Sequence, residues 1–431
     1  MATKALLHRL PILIARIRTL KSLNYKEKRL YFDDIDLYEL SSTITTPFYI
    51  YSENIIRNNI HEYTTSASND VTFCYSVKAN SNLSILKLIS SLGLGFDVVS
   101  GGELAKVLKA GGLPNKIVYS GVGKSPEEIQ FALDKCILCF NVESSSELEL
   151  INDIAKSKGM RANVSLRVNP DISVDTHPYI STGMKNSKFG IPYKDALNVY
   201  TKAKNLSNID ITGIDFHIGS QITSPKPYIE SIDSIKKLIC KLKENGINLE
   251  HIDVGGGIGI KYDNEQVISK PKYVQSIIKE LEGLNLKIIF EPGRSIIGDA
   301  GILVTKVQYI KESEDKNFLV VDASMSELLR PPLYEAYHKI TPIIQGDKEK
   351  KIFDVVGPVC ESTDFLGLDR ELAVKENDYL VIEDAGAYGF VLSSNYNSRP
   401  RPSEHLISKN KIILIRKRES IEQMLTNEIE L

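Results

Sequence analysis

A chain of 431 residues with 42% hydrophobic side chains has enough apolar surface for two folded cores, which excludes disorder as the default. Its 53 basic and 55 acidic residues nearly cancel, so it lacks the basic surface that a phosphate backbone demands, and nucleic acid is not an expected partner. Five cysteines, an odd number without regular spacing, argue against a disulfide framework and for a reducing, cytoplasmic compartment.

In chain order, the first 22 residues carry Lys4, His8, Arg9, Arg16, Arg18 and Lys21 and no acid. Pro11 interrupts this segment, and its apolar stretch 10–15 is too short to span a bilayer or form a signal-peptide core. Residues 1–24 read as a basic surface extension, with an organelle transit peptide as the alternative, and no later segment reaches transmembrane length. Residues 25–46 are expected to contribute to a second domain.

From residue 71 onward, short β-branched or aromatic runs alternate with helical stretches. The expected strands are 71–77, 95–99, 116–120, 138–141, 164–168, 211–217, 252–254 and 287–290. Eight parallel strands with intervening helices close as a (β/α)8 TIM-type barrel, assigned here to residues 47–295. Cys136 and Cys139 form a CxxC around an apolar run, but with no second pair or nearby histidines they read as buried core. Between the fifth and sixth strands lies a polar insertion containing HPYISTG (177–183) and KNSKFGI (185–191), on the side where barrels build their sites. Beyond Arg294 the helices thin out. Strands expected at 302–310, 317–321, 351–356, 378–382 and 411–416 suggest a C-terminal β-barrel or β-sandwich domain over 296–431.

Catalytic groups of such barrels lie just past the carboxyl ends of the strands. Lys78 follows strand one in YSVKAN, Asp97 sits in strand two, and His217 ends strand six in FHIGSQ. Gly255, Gly256 and Gly257 follow strand seven, and Glu291 to Arg294 follow strand eight in EPGR. Each has a bland reading: a solvated lysine, a core histidine, a glycine turn, a Glu–Arg pair. A lysine at a barrel mouth can instead be partly desolvated and act as a Schiff-base amine. Glycines after a strand can expose N–H groups to a phosphate. The convergence of these motifs on one rim is what favours chemistry over packing. No metal-ligand spacing is present, so no metal is expected.

The ordered set YSVKAN, DVVSGGEL, RVNP, THPYISTG, SKFGI, FHIGSQ, DVGGGIG, EPGR, RPPLYEAYH, GPVCESTD and GAYG resembles the alanine-racemase-like (fold type III) pyridoxal-phosphate decarboxylases, and among them the diaminopimelate decarboxylases. The resemblance covers about residues 30–415. It implies a carboxy-lyase that uses pyridoxal 5'-phosphate to convert meso-2,6-diaminopimelate to L-lysine and CO2, the last step of lysine biosynthesis by that route. On the matching positions it implies Schiff-base attachment at Lys78 and His217 stacked on the cofactor ring. Ser220, Gly255, Gly256, Gly257 and the backbone of Glu291, Pro292, Gly293 and Arg294 would hold the phosphate, and Glu291 would face the pyridine nitrogen. Arg330, Tyr334 and Arg294 would bind the distal carboxylate and Glu361 the distal ammonium, with Tyr388 near the cofactor. Cys360 would donate the proton that replaces CO2. The resemblance also implies a homodimer in which Cys360 and Glu361 enter the partner's site, so a monomer would be inactive. No membrane partner is implied.

Two arginines aimed at a carboxylate would be left unpaired by ornithine or lysine, costing ~2 to 5 kcal/mol, and the resulting discrimination could reach the order of 10⁴. Glu361 beside Cys360, where ornithine decarboxylases usually carry Asp, points the same way. The competing readings are a decarboxylase of ornithine, lysine or a carboxylated polyamine, an amino-acid racemase, and a non-catalytic relative that kept the fold. The roles of Asp97 and Arg167 stay open between site network and structural pairing.

Overall fold

The computed structural model describes residues 23–67, 70–170, 188–346 and 349–431. Residues 1–22 of the basic extension and residues 171–187, with the HPYISTG run, lie outside them, whereas residues 23 and 24, counted with the extension, begin a strand, Leu23–Lys26. Eight parallel strands form a closed barrel: Val71–Ser76, Gly95–Val98, Ile117–Tyr119, Cys139–Val142, Ala162–Asn169, Ile209–Asp215, His251–Asp253 and Lys287–Phe290. The last strand pairs with the first, Ile288 opposite Val71, so no edge remains. Every strand expected from sequence is present, within a few residues.

The strands are short and almost wholly buried because helices cover their outer face, as in Phe96 and Val98 of the second strand and Phe140 and Val142 of the fourth. Local chemistry starts the helices. Ser100, Ser125 and Ser144 each accept the N–H of a glutamate three residues on, at Glu103, Glu128 and Glu147. At Ser125 the Glu128 side chain returns the bond, completing a capping box. All five cysteines are free; Cys139 is buried as expected, but Cys136 is exposed, at a positive-φ position that ends the preceding helix turn.

The second domain is built on a nine-stranded sheet with Gly301–Lys311 as its long central strand. Phe48–Ser52, grouped with the barrel by the sequence division at residue 47, instead pairs antiparallel with this strand and parallel with Ser403–Ser408. Its FYIYS run is buried throughout, as a central strand of any sheet would be, so composition alone could not assign it. Ile340–Pro342, Phe365–Leu372 and Ser403–Ser408 complete the sheet and were not anticipated. FLGLDREL and SEHLIS are too polar or Gly-interrupted to read as strands. The segment 23–36 forms a small three-stranded sheet, and its Leu30 and Phe32 bury against Phe48, Ile302 and Val381 of the β domain. No helix among the described residues is long and apolar enough to cross a membrane.

Candidate active site

The two domains meet at the carboxyl end of the barrel. Tyr388, held at φ 56° in the GAYG turn, donates its N–H to the Ala79 carbonyl, and Asn80 reaches the Gly386 carbonyl. The EPGR segment packs on the Lys78 segment: Ser76 N–H donates to the Pro292 carbonyl, and a Cβ on Gly293 would meet the Ser76 Cβ at 3.0 Å. Lys78, Tyr388 and Arg294 are thereby brought to one rim, with the guanidinium of Arg294 lying 4.9 Å from the Tyr388 ring centroid.

Lys78 Nζ donates to Asp97 Oδ2 at 2.8 Å, and 36% of the lysine side chain remains exposed while Asp97 is fully buried. Burial opposes the ammonium, but the attraction of Asp97 and Glu291 outweighs it and raises the Lys78 pKa. Asp97 is therefore the lysine's counter-ion, which answers the question the sequence left open. Among the described residues its second oxygen has no hydrogen-bond partner. Arg167 is likewise paired, at 2.7 Å to Glu143 and 3.9 Å to Asp215.

Beneath the lysine lie Asp215, Asp253 and Glu291, whose carboxylate oxygens fall within 4.8 Å of one another. Burial and the repulsion of neighbouring carboxylates raise all of their pKa values, that of Asp253 to about 7 with Asp97 as the repelling charge. The carboxylates are near enough that charge on one disfavours charge on the others, as Asp253 and Asp215 do for Glu291. Asn141 Nδ2 donates to Glu291 Oε1 at 3.4 Å.

His217 lies above this floor, and its Nδ1 accepts the Gly256 N–H at 3.2 Å, which leaves the proton on Nε2. Burial, Arg167 and Lys78 hold its pKa well below the usual value, so the ring is neutral. The glycine run is more committed than its sequence implied. Gly255 N–H goes to Asp253 Oδ1 and Gly256 N–H to His217, so among the described residues Gly257 alone of the three keeps a free N–H. The close approaches explain the residue type: a Cβ would meet the Glu291 carbonyl oxygen at 2.0 Å from Gly256 and the Gly219 carbonyl oxygen at 2.1 Å from Gly257.

Arg294 donates to Ser220 Oγ at 2.9 Å and to the Tyr262 hydroxyl at 2.8 Å. Arg330 opens the short helix Arg330–Tyr334, where Pro331 and Pro332 occupy positions with no helical acceptor for an N–H. Its guanidinium lies 4.6 Å from the centroid of the same Tyr262 ring, with Arg294 at 5.8 Å. Both arginines are buried, each has an Nε without a partner, and neither forms an ion pair among the described residues. Burial and the nearby Arg294 lower the Arg330 pKa. Tyr334 is half-buried at the end of the helix. Tyr262 was missed from sequence. Its only signal was its place just beyond GGGIGI.

Cys360 and Glu361 stand apart from these contacts. Both are exposed, on a loop braced by Asp364, whose oxygens accept the Val359 and Met325 N–H groups at 2.7 and 2.6 Å. Cys360 N–H donates to Asn397 Oδ1, and Tyr396 Oη approaches Glu361 Oε2 at 3.5 Å, so the recorded partners of this pair are its own loop and the 396–397 turn.

Residues 53–298 match the model of the pyridoxal-dependent decarboxylase family, pyridoxal binding domain. The chain is 46% identical to the diaminopimelate decarboxylase of Vibrio cholerae over 93% of its length and 97% of the relative's. It is 45% identical to that of Aquifex aeolicus over 95% and 98%. Among solved structures it resembles diaminopimelate decarboxylase from Helicobacter pylori complexed with L-lysine, with TM-score 0.87 at 46% identity over 91% of this chain and 98% of that one. It also resembles the M. jannaschii enzyme in complex with L-lysine, with TM-score 0.91 at 37% identity over 95% and 98%.

Proposed function

The chain belongs to the pyridoxal-dependent decarboxylases, within the diaminopimelate decarboxylase group, and we propose that it removes the carboxylate at one end of meso-2,6-diaminopimelate to give L-lysine and CO2. It is a carboxy-lyase with a place in lysine biosynthesis. The residues at the barrel mouth fit pyridoxal phosphate: an amine at Lys78, a buried carboxylate cluster ending in Glu291, and donors on Ser220, Gly257 and Arg294, whose Nε is buried without a partner. When bound, the cofactor supplies the electron sink for the pair of electrons freed as CO2 leaves.

The chain's own residues have separable tasks in this reading. Lys78 holds the cofactor covalently, and Asp97 keeps the lysine in place. Neutral His217 offers a flat face without adding charge. Glu291, with its raised pKa and its link to Asp253, can hold a proton where the ring nitrogen is expected. Tyr388 closes the rim from the β domain. Cys360 returns a proton to the carbon that lost CO2, and Glu361 receives the distal ammonium.

Substrate choice rests on one observation: among the described residues, Arg294 and Arg330 are buried together with no carboxylate paired to either. A buried unpaired guanidinium is costly, so the site is completed best by an anionic group on the substrate, with Tyr334 at its edge. Diaminopimelate carries a second carboxylate; ornithine and lysine do not.

The exposure of Cys360 and Glu361 supports a homodimer in which each CES loop enters the partner's site. The direct test is CO2 release from meso-diaminopimelate by the cofactor-loaded protein, with ornithine and lysine in parallel. Release mainly from ornithine or lysine would overturn the substrate assignment.

A further inference from the structure

His338 closes the RPPLYEAYH loop and is fully buried, though nothing in that motif marks it for a role. Its Nε2 lies 2.8 Å from Arg330 Nη1 and its Nδ1 lies 2.8 Å from the Glu383 carbonyl oxygen. A guanidinium nitrogen only donates, so Nε2 must be the bare acceptor and Nδ1 must carry the proton that goes to Glu383. The arrangement allows one tautomer.

That tautomer is held on every side. Glu383 N–H donates to the Lys339 carbonyl, which extends the ladder between Ile340–Pro342 and Tyr379–Ile382, so the carbonyl that receives the Nδ1 proton is fixed by the sheet. The Tyr262 ring meets the imidazole edge-on, with centroids 5.3 Å apart. Burial and the adjacent Arg330 charge keep the imidazole pKa well below its usual value, against a smaller opposing pull from the Glu383 carbonyl.

The residue type matters because of what it withholds. Aspartate or glutamate at this position would fix the guanidinium equally well but would also neutralise it, and a substrate carboxylate would then have to compete. A neutral imidazole fixes direction and leaves the charge uncompensated. We propose that His338 is a positioning residue that aims Arg330 at the distal carboxylate of the substrate while keeping its charge free, and thereby helps set the preference for a diaminodicarboxylate over a diaminomonocarboxylate. This rests on the reading that Arg330 binds the distal carboxylate.

The test uses the cofactor-loaded enzyme and three variants. His338→Asn keeps a donor for Glu383 and removes the acceptor for Arg330; His338→Gln restores an acceptor at the far position; Arg330→Met tests the underlying reading. His338→Asn is expected to raise KM for meso-diaminopimelate roughly tenfold or more, the effect of unmaking one buried charged hydrogen bond. Its kcat and cofactor content should stay close to wild type, and His338→Gln should recover most of the loss. Equal KM values in the Asn and Gln variants and wild type would overturn the proposal, as would a fall in kcat and cofactor content with KM unmoved. If Arg330→Met leaves KM unchanged, the distal-site reading fails and the proposal with it; if Arg330→Met raises KM and His338→Asn does not, the proposal alone fails. Should His338→Asn not fold, nitrogen NMR of histidine-labelled wild-type enzyme decides. A neutral, Nδ1-protonated signal persisting from about pH 5.5 to 8 is expected for His338. A titrating ring or the opposite tautomer would overturn the assignment.

Discussion

Arg294 and Arg330 converge on the ring of Tyr262, at 5.8 and 4.6 Å from its centroid, and neither has an acidic side chain paired with it among the described residues. Most buried guanidiniums are matched by a carboxylate, as Arg167 is here by Glu143. The unmatched pair is what the proposed distal site requires: room for an anion that arrives from outside.

Arg330→Met keeps the bulk and removes the charge. It should lower kcat/KM for diaminopimelate by about 10² or more, in line with ~2 to 5 kcal/mol for losing a buried charged contact. Because the charge is uncompensated in the substrate-free protein, the same variant should be more stable than wild type by about 1 kcal/mol and so melt at a higher temperature. Steady-state kinetics and a thermal melt check the two halves. A variant that loses activity and stability together would argue for a structural role instead.

Lys78 and Asp97 should separate attachment from folding. If Lys78 carries the cofactor as proposed, Lys78→Met should abolish covalent cofactor binding; it also leaves Asp97 buried without its counter-ion, so the cofactor-free protein should lose about 1–3 kcal/mol. Adding Asp97→Asn should restore most of that stability without restoring CO2 release. Denaturant titration of the single and double variants measures the coupling.

The carboxylate floor makes stability depend on pH. Asp253 has a folded pKa of about 7 against an ordinary value of 3.8, so the folded state binds its proton more tightly than the unfolded chain does. Stability from this group is fully present below the ordinary value and is lost as pH rises through about 7. Cofactor-free protein should therefore melt several degrees lower at pH 8 than at pH 5, and Asp253→Asn should flatten that slope. A melting temperature that rises over this interval would contradict the assignment.

Shared sites can be detected by mixing. Lys78→Ala and Cys360→Ala proteins should each be nearly inactive. If Cys360 serves the partner's site, subunit exchange should regenerate about one quarter of wild-type activity, since half the dimers are mixed and each has one intact site. No recovery on prolonged exchange would place Cys360 in its own subunit's site.

The barrel could be read from the sequence because its strands are short, β-branched and evenly spaced, and because Lys78, His217 and Glu291 each sit at a strand's end. What escaped was decided by tertiary context. Phe48–Ser52 is apolar enough for either sheet, and only its partners assign it. The N–H groups of Gly255 and Gly256 looked available until Asp253 and His217 took them. Tyr262 carries no motif, and His338 only closes the one that Arg330 opens; both matter because folding brings them to two arginines that lie 36 residues apart in sequence.

The measurement that tests the account most directly is the ratio of kcat/KM for meso-diaminopimelate to that for lysine, in wild type and Arg330→Met, both loaded with pyridoxal phosphate. A ratio on the order of 10⁴ is expected in wild type, falling by about 10² or more in the variant as the unpaired charge disappears. A wild-type ratio near one, or a ratio that Arg330→Met leaves unchanged, would contradict it.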